Sequence, residues 1–188
     1  GRLYHLNAHG RLACLEASSG REIWTRDNLE AFAAGNITWA ISECLLVDGP
    51  RLLVTPVGRK ALMAALDKTT GKTLWTSEPL PGDQGSYSSP LLVTHEGRRL
   101  ILQCTDAKGF AVDADTGKRL WTVPLRNQYG TNISAPVYGD GRVHFAAAFT
   151  TRTEACAVTQ SSNGSLLASL AEAVARSASG RAKPDFCL

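Results

Sequence analysis

Cysteine and histidine are the side chains in this sequence that could bind a transition metal or carry redox chemistry. Five cysteines occur, no two closer than 30 residues: Cys14, Cys44, Cys104, Cys156 and Cys187. Because no Cys-x-x-Cys motif is present, the spacing argues against a zinc ribbon or a redox pair and favours free, buried thiols. His5 and His9 could share a metal ion only on a helix, whereas their segment has the pattern of a strand followed by a turn.

Carboxylates and hydroxyls could supply a calcium site or a nucleophile. Asp113 and Asp115 precede Gly117 in an order that resembles the start of a calcium loop. An EF-hand needs a 12-residue loop ending in glutamate, so this segment predicts a turn in which Asp and Thr side chains bond backbone N–H groups. The absence of a Gly-x-Ser-x-Gly elbow and of a Walker loop argues against a serine hydrolase and a nucleotide-binding domain.

Three segments combine aromatic, amide and hydroxyl side chains, a mixture that suits a polar ligand such as a sugar or a peptide strand. They span residues 34–43, 80–89 and 126–135. The candidate ligand-binding residues on them are Trp39, Glu43, Tyr87, Ser88, Tyr129, Asn132 and Ser134. An alternative interpretation is that these are loop residues that only contact solvent.

The elements that position these segments are repeated. An 11-residue pattern occurs at residues 15–25, 66–76 and 112–122. The pattern consists, in order, of an aliphatic residue, three turn-forming residues, Ser or Thr, Gly, Lys or Arg, any residue, Ile or Leu, Trp and Thr. Its tryptophans, at positions 24, 75 and 121, are 51 and 46 residues apart. Three such matches in 188 residues are not a chance event, and a period of this length indicates a repeat architecture.

A second column of the repeat predicts β-hairpins. Ser42, Ser88 and Ser134 are spaced by 46 residues, and each precedes two apolar runs separated by a glycine-containing turn. The strands predicted for the second unit cover residues 43–48, 51–56, 61–67 and 72–76. Four strands in a period of about 40–50 residues are typical of a β-propeller blade.

The sequence therefore predicts an all-β chain, a partial β-propeller of about three to four four-stranded antiparallel blades. The blades are expected at residues 1–25, 40–76, 86–122 and 134–160, within one propeller segment, 1–160. Residues 161–188 are expected to form a degenerate or disordered tail rich in Ala and Ser. Within it, the spacing of Leu166, Leu167, Leu170 and Val174 predicts a short helix.

The recurrent tryptophans are predicted to pack one blade on the next, because a blade cannot bury both faces of its sheet alone. A ring on the outermost strand can lie against the turn glycine of the neighbouring blade, and its indole N–H can bond a carbonyl there. The residues given this structural role are Trp24, Trp75 and Trp121, with the turn glycines Gly20, Gly71 and Gly117.

The segments 71–75 and 117–121, Gly-Lys-x-Leu-Trp with an Asp-x-x-Thr lead-in, resemble the tryptophan-docking repeats of pyrroloquinoline-quinone (PQQ)-like β-propellers. The resemblance covers about residues 1–145. Such propellers occur in quinoprotein alcohol dehydrogenases, in BamB-like outer-membrane assembly lipoproteins and in uncharacterised secreted bacterial proteins. The motif is a packing device, so it implies a fold and leaves the chemistry open. It also implies a larger ring, closed by remaining blades or by a second copy.

The resemblance implies a non-catalytic binding or assembly scaffold, periplasmic or secreted, with a protein, peptide or carbohydrate ligand at the propeller face. The alternative is a fragment of a PQQ-dependent dehydrogenase whose catalytic residues lie elsewhere. A hydrolase or polysaccharide-binding module fused to the repeat is a third hypothesis. The family's enzymes hold Ca²⁺ beside the quinone, often under a disulfide between adjacent cysteines, and this chain has no Cys-Cys pair. We therefore expect no catalytic residue, cofactor or metal ligand within it.

Composition supports a globular chain, with 44% hydrophobic and 20% charged residues. A net charge of +3 without a run of basic residues argues against a nucleic-acid partner. The longest apolar runs, at 61–66 and 145–149, are much shorter than the roughly 20 residues that a membrane-spanning helix needs.

Overall fold

A computed structural model describes residues 1–125 and 127–147, and also 153–160 and 166–171 as strands. The first sheet has three strands, β1 (Arg2–Leu6), β2 (Arg11–Glu16) and β3 (Glu22–Asp27). A five-residue helix follows, α1 (Asn28–Phe32), capped by Asp27, whose carboxylate accepts the Glu30 N–H at 2.9 Å.

The other three sheets have four strands each, in chain order. The second contains β4 (Leu46–Asp48), β5 (Arg51–Val54), β6 (Ala64–Asp67) and β7 (Thr73–Thr76). The third contains β8 (Leu91–His95), β9 (Arg98–Cys104), β10 (Lys108–Asp113) and β11 (Arg119–Pro124). The fourth contains β12 (Val137–Gly139), β13 (Arg142–Ala146), β14 (Thr153–Gln160) and β15 (Leu166–Ala171). All pairings are antiparallel, which confirms the predicted all-β fold built from four repeated sheets.

The helix predicted after residue 161 is wrong where the structure describes the chain. Leu166, Leu167 and Leu170 lie in β15, which pairs with β14. The ladder hydrogen bonds at the edge of β14 outweigh the weak helical preference of Leu and Ala. The fourth sheet thus continues past residue 160, while Val174 and the rest of the predicted tail lie outside the described residues.

The turn between the last two strands of a sheet is built in the same way in the second and third sheets. The Asp67 carboxylate accepts the N–H groups of Thr69 and Thr70, each at 2.8 Å, and the Asp113 carboxylate accepts the equivalent pair. Gly71 and Gly117 follow at φ +72° and +76°, a conformation that favours glycine. The segment with a calcium-loop order is therefore a hydrogen-bonded turn.

The apolar core lies between successive sheets in three clusters. Consecutive residues of a strand point to opposite faces, so Leu52 packs towards the first sheet and Leu53 towards the third. In the same way Ile101 joins the second sheet, whereas Leu100 and Leu102 pack with Phe145 of the fourth. Central strands are thus apolar on both faces, which explains the unbroken hydrophobic runs in the sequence.

The rings of Trp24 and Trp75 lie on the turn glycines of the following sheet. A Cβ built on Gly71 would fall 2.9 Å from Cε3 of Trp24, and one built on Gly117 would fall 2.4 Å from Cε3 of Trp75. The Trp24 indole N–H donates to the Lys68 carbonyl at 3.3 Å. Trp121 stands edge-on to Phe145 at 6.3 Å between centroids. The indole N–H groups of Trp75 and Trp121 are buried and have no partner in the described part of the chain.

Candidate functional site

The loops that precede β4, β8 and β12 lie side by side and surround a pocket of about 170 Å³. We call it the aromatic pocket, because Trp39, Tyr87 and Tyr129 line it, one from each loop. Gln84 and Asp106 complete its polar side. Pockets that enclose a drug-sized ligand measure about 300–1,000 Å³, so this one has the size of a single side chain or sugar ring.

The first loop holds Trp39 in an exposed position. The Asn36 side-chain N–H donates to the Ala8 carbonyl at 3.0 Å and the Ile41 N–H to the same carbonyl at 3.3 Å, which fixes the loop to the β1–β2 turn. The Trp39 N–H donates to the Tyr87 hydroxyl at 3.1 Å, and the two rings are 5.9 Å apart at 46°. Trp39 nevertheless keeps 70% of its surface exposed, which is unusual for so large an apolar side chain.

The third loop is held by a buried amide. The Asn132 side-chain nitrogen is within hydrogen-bond distance of the carbonyls of Thr105, Asp106 and Leu125, at 2.8, 3.2 and 3.1 Å. Its oxygen accepts from the Asn127 side chain at 2.9 Å. These bonds satisfy backbone groups that burial would otherwise leave unpaired, and they present Tyr129, 58% exposed, beside the pocket.

Asp106 is the carboxylate of the aromatic pocket, and it comes from the β9–β10 turn. Its side chain accepts the Gln84 N–H at 2.8 Å, while the Asp106 N–H donates to the Gln84 carbonyl at 3.0 Å. Burial, and then the neighbouring carboxylate of Asp83, raise the pKa of Asp106 above its ordinary value, although the hydrogen bond from the Gln84 N–H and the charge of Lys108 oppose the rise. Asp83 itself pairs with Lys108.

A smaller polar cavity lies next to the aromatic pocket, and Ile37 and Gly85 border both. It has a volume of about 30 Å³, enough for a single water molecule. Glu43 lines it and accepts the Thr55 N–H at 3.1 Å and the Thr55 hydroxyl at 2.6 Å. Burial raises the pKa of Glu43 to about 7, although the bonds from Thr55 oppose the rise.

The structure thus separates the predicted ligand-binding residues into three groups. Trp39, Tyr87 and Tyr129 meet in the aromatic pocket, and Glu43 and Ser88 line the polar cavity. Asn132 is buried as the anchor of its loop, and Ser134 is exposed but lines neither space. Sequence reasoning missed Asp106, because the turns equivalent to residues 104–108 in the other units have unrelated sequences. All ligand roles stay predictions.

The described part of the chain contains no cluster of three or more His, Cys, Asp or Glu side chains that could hold a metal ion. His5 lies on β1 and His9 in the turn after it, so no helix brings them together. Cys14 and Cys104 are free and buried, whereas Cys44 is free and exposed. Glu43 is the one carboxylate of the polar cavity. The described residues therefore do not fit Ca²⁺ beside a quinone.

Solved structures with this architecture include two bacterial propellers. BamB from Moraxella catarrhalis gives a TM-score of 0.58 at 19% identity, covering 88% of this chain and 48% of BamB. The quinohemoprotein alcohol dehydrogenase ADHIIG from Pseudomonas putida HK5 gives 0.56 at 18% identity, covering 77% of this chain and 26% of the enzyme. At these identities the likeness shows a shared fold. No helix in the described residues is long and apolar enough to cross a membrane.

Sequence comparison points to the same group. A 1-butanol dehydrogenase (cytochrome c) from Thauera butanivorans is 34% identical over 83 residues, which is 41% of this chain and 11% of the enzyme. The chain thus spans about half or less of the length of the relatives it matches. The family model described as outer membrane protein assembly factor BamB matches residues 1–183, nearly the whole sequence. The chain therefore belongs to the BamB-like family of PQQ-like repeat β-propellers.

Proposed function

We propose that this chain is part of a non-catalytic binding or assembly scaffold whose ligand sits on the interblade loops. The observation that carries the proposal is the aromatic pocket, which collects one aromatic side chain from each of three successive loops. Trp39 and Tyr129 are exposed, whereas other large apolar side chains of the chain are buried in the interfaces between the sheets. Exposed Trp and Tyr side chains grouped at one place are typical of binding surfaces, where they supply contact area at low entropic cost.

The family supports a protein or peptide ligand and a periplasmic or secreted location. Its description names an outer membrane protein assembly factor, a role that requires contact with other proteins. The aromatic pocket lies on loops, so it leaves the sheets free to pack against further blades or a second copy.

Photocrosslinking tests this proposal on the full-length protein in the cells that produce it. A photoreactive phenylalanine analogue replaces Trp39 or Tyr129 and, as a control, Leu74, which is 52% exposed on β7 and away from the pocket. We expect a discrete covalent adduct at 39 and 129 and none at 74, with the attached molecule identified by mass spectrometry. Equal labelling at all three positions, or none, would contradict a binding surface at these loops.

A second candidate function is favoured by the 34% identity to the Thauera butanivorans dehydrogenase. In it, the chain is a fragment of a quinoprotein oxidoreductase whose catalytic residues lie outside this sequence. The full-length protein, loaded with PQQ and Ca²⁺, is assayed for alcohol oxidation with an artificial electron acceptor. Turnover would favour the dehydrogenase, whereas crosslinked adducts without turnover would favour the scaffold.

A further inference from the structure

We propose that the aromatic pocket binds a cationic side chain, the guanidinium or ammonium group of an Arg or Lys on a protein partner. This rests on the proposed binding function and specifies the chemistry of the ligand. Two independent features of the pocket support it, an array of aromatic rings and two neighbouring carboxylates.

The aromatic rings supply the first feature. A cation within about 6 Å of a ring centroid is attracted to the face of Trp most strongly and to Tyr and Phe less. Trp39 and Tyr87 are 5.9 Å apart and tilted by 46°, so they do not stack flat on each other and can border one guest. The hydrogen bond from the Trp39 N–H fixes the Tyr87 hydroxyl at this point. Tyr129 lines the same space from the third loop.

The charge next to these rings supplies the second feature. Among the described residues, Asp106 and Asp83 are neighbouring carboxylates, and the Lys108 ammonium group is paired with Asp83. Asp83 also accepts the Thr105 hydroxyl at 2.7 Å. A bound cation would compensate the Asp106 charge, which is costly to keep half-buried beside a second carboxylate.

The size of the pocket selects a single side chain. A volume of about 170 Å³ does not enclose an oligosaccharide, whereas the stem and head of one Arg or Lys fit. A neutral sugar ring could also stack on Trp39, but it would bring no positive charge to the half-buried carboxylate. The carboxylate therefore favours a cation over a sugar.

Calorimetric titration compares two peptides of the same shape on the 188-residue chain, N-acetyl-Gly-Arg-Gly-amide and its citrulline counterpart, which lacks the charge. We expect the Arg peptide to bind at least about tenfold more tightly than the citrulline peptide. Trp39→Ala should weaken its binding about fivefold or more. Asp106→Asn should weaken it by about threefold to tenfold, and this difference should shrink as salt is added. Leu74→Ala and Glu96→Gln, exposed positions away from the pocket, serve as matched controls.

Equal affinity for the two peptides would overturn the proposal, as would no binding of either at millimolar concentration. It would also be overturned if Asp106→Asn bound the Arg peptide as tightly as the control Glu96→Gln. A glycan adduct at position 39 in the crosslinking experiment would disprove the cationic ligand while leaving the scaffold function intact. Absence of any adduct would contradict the scaffold itself, so the two failures are distinguishable.

Discussion

Replacing Trp75 with alanine should lower the free energy of unfolding by about 3–5 kcal/mol. The ring lies on Gly117 and packs against the core between the second and third sheets. A buried Trp removes about 150–250 Å² from water, and at about 25 cal/mol per Å² full burial would contribute roughly 4–6 kcal/mol. Trp75 is only partly buried and its indole N–H lacks a partner among the described residues, so the loss is expected to fall below the full-burial value, at about 3–5 kcal/mol.

Trp39→Ala is the matched control, because it removes the same side chain from an exposed loop. Its cost should stay below about 1 kcal/mol. Urea unfolding followed by far-UV circular dichroism gives both values from the midpoints and slopes. If the two substitutions cost the same, or if Trp39→Ala costs more, the packing role assigned to the recurrent tryptophans is refuted.

A double-mutant cycle with Gly117→Ala makes the test specific for the contact. The added methyl group would lie 2.4 Å from Cε3 of Trp75, and the alanine would have to adopt φ +76°. In the Trp75→Ala background the collision is removed, and only the backbone cost of about 1 kcal/mol remains. The two substitutions together should therefore cost less than the sum of the single ones. Additive costs would show that ring and glycine do not meet in solution.

Three further predictions concern protonation, cofactor and local stability. Glu43 binds a proton more tightly in the folded state, where its pKa is about 7, than in the unfolded state, where it is 4.5. Its contribution to the stability of the fold is therefore complete below pH 4.5 and is lost as the pH rises through 7. Glu43→Gln should reduce the pH dependence of the free energy of unfolding across this window by at most about 3 kcal/mol, measured by urea unfolding at each pH. Titration with PQQ and Ca²⁺ should leave the tryptophan fluorescence of the chain without a saturable change, and a micromolar dissociation constant would promote the dehydrogenase. Hydrogen exchange should be slowest in the second and third sheets, whose strands β5, β6, β9 and β10 are apolar on both faces; equal protection of β1 would contradict this.

The fold could be predicted from the sequence because the repeat marks the same local structure three times. The Asp-x-x-Thr-Gly turn needs the carboxylate of Asp67 or Asp113 and a glycine with positive φ, and both requirements are visible as residue types. The spacing of Leu166, Leu167, Leu170 and Val174 predicts a short helix, yet residues 166–171 form a strand because they pair with the edge of β14. Local preference is weak compared with a ladder of hydrogen bonds.

The site could be predicted only in part. Loops between blades were expected to carry the ligand, and three of their aromatic residues do meet in one pocket. Asn132 has the chemistry of a ligand-binding amide, but its burial under Thr105 and Leu125 makes it an anchor, and residue type alone does not separate the two roles. Asp106 belongs to a turn without a repeated sequence, so only the folded chain brings it beside Trp39.

The ring-on-glycine contact is directional, since Trp24 of the first sheet lies on the turn of the second and Trp75 of the second lies on the turn of the third. An interface of this kind is heterologous, because it brings together two different surfaces. The array of sheets closes into a ring only when the rotation from one sheet to the next allows it. A duplicated unit inserted by recombination would carry both the tryptophan and the turn glycine, and would therefore match its two neighbours at once. The number of units in such a gene can therefore grow or shrink in single steps, while substitution of one turn glycine is enough to disrupt the contact between two units.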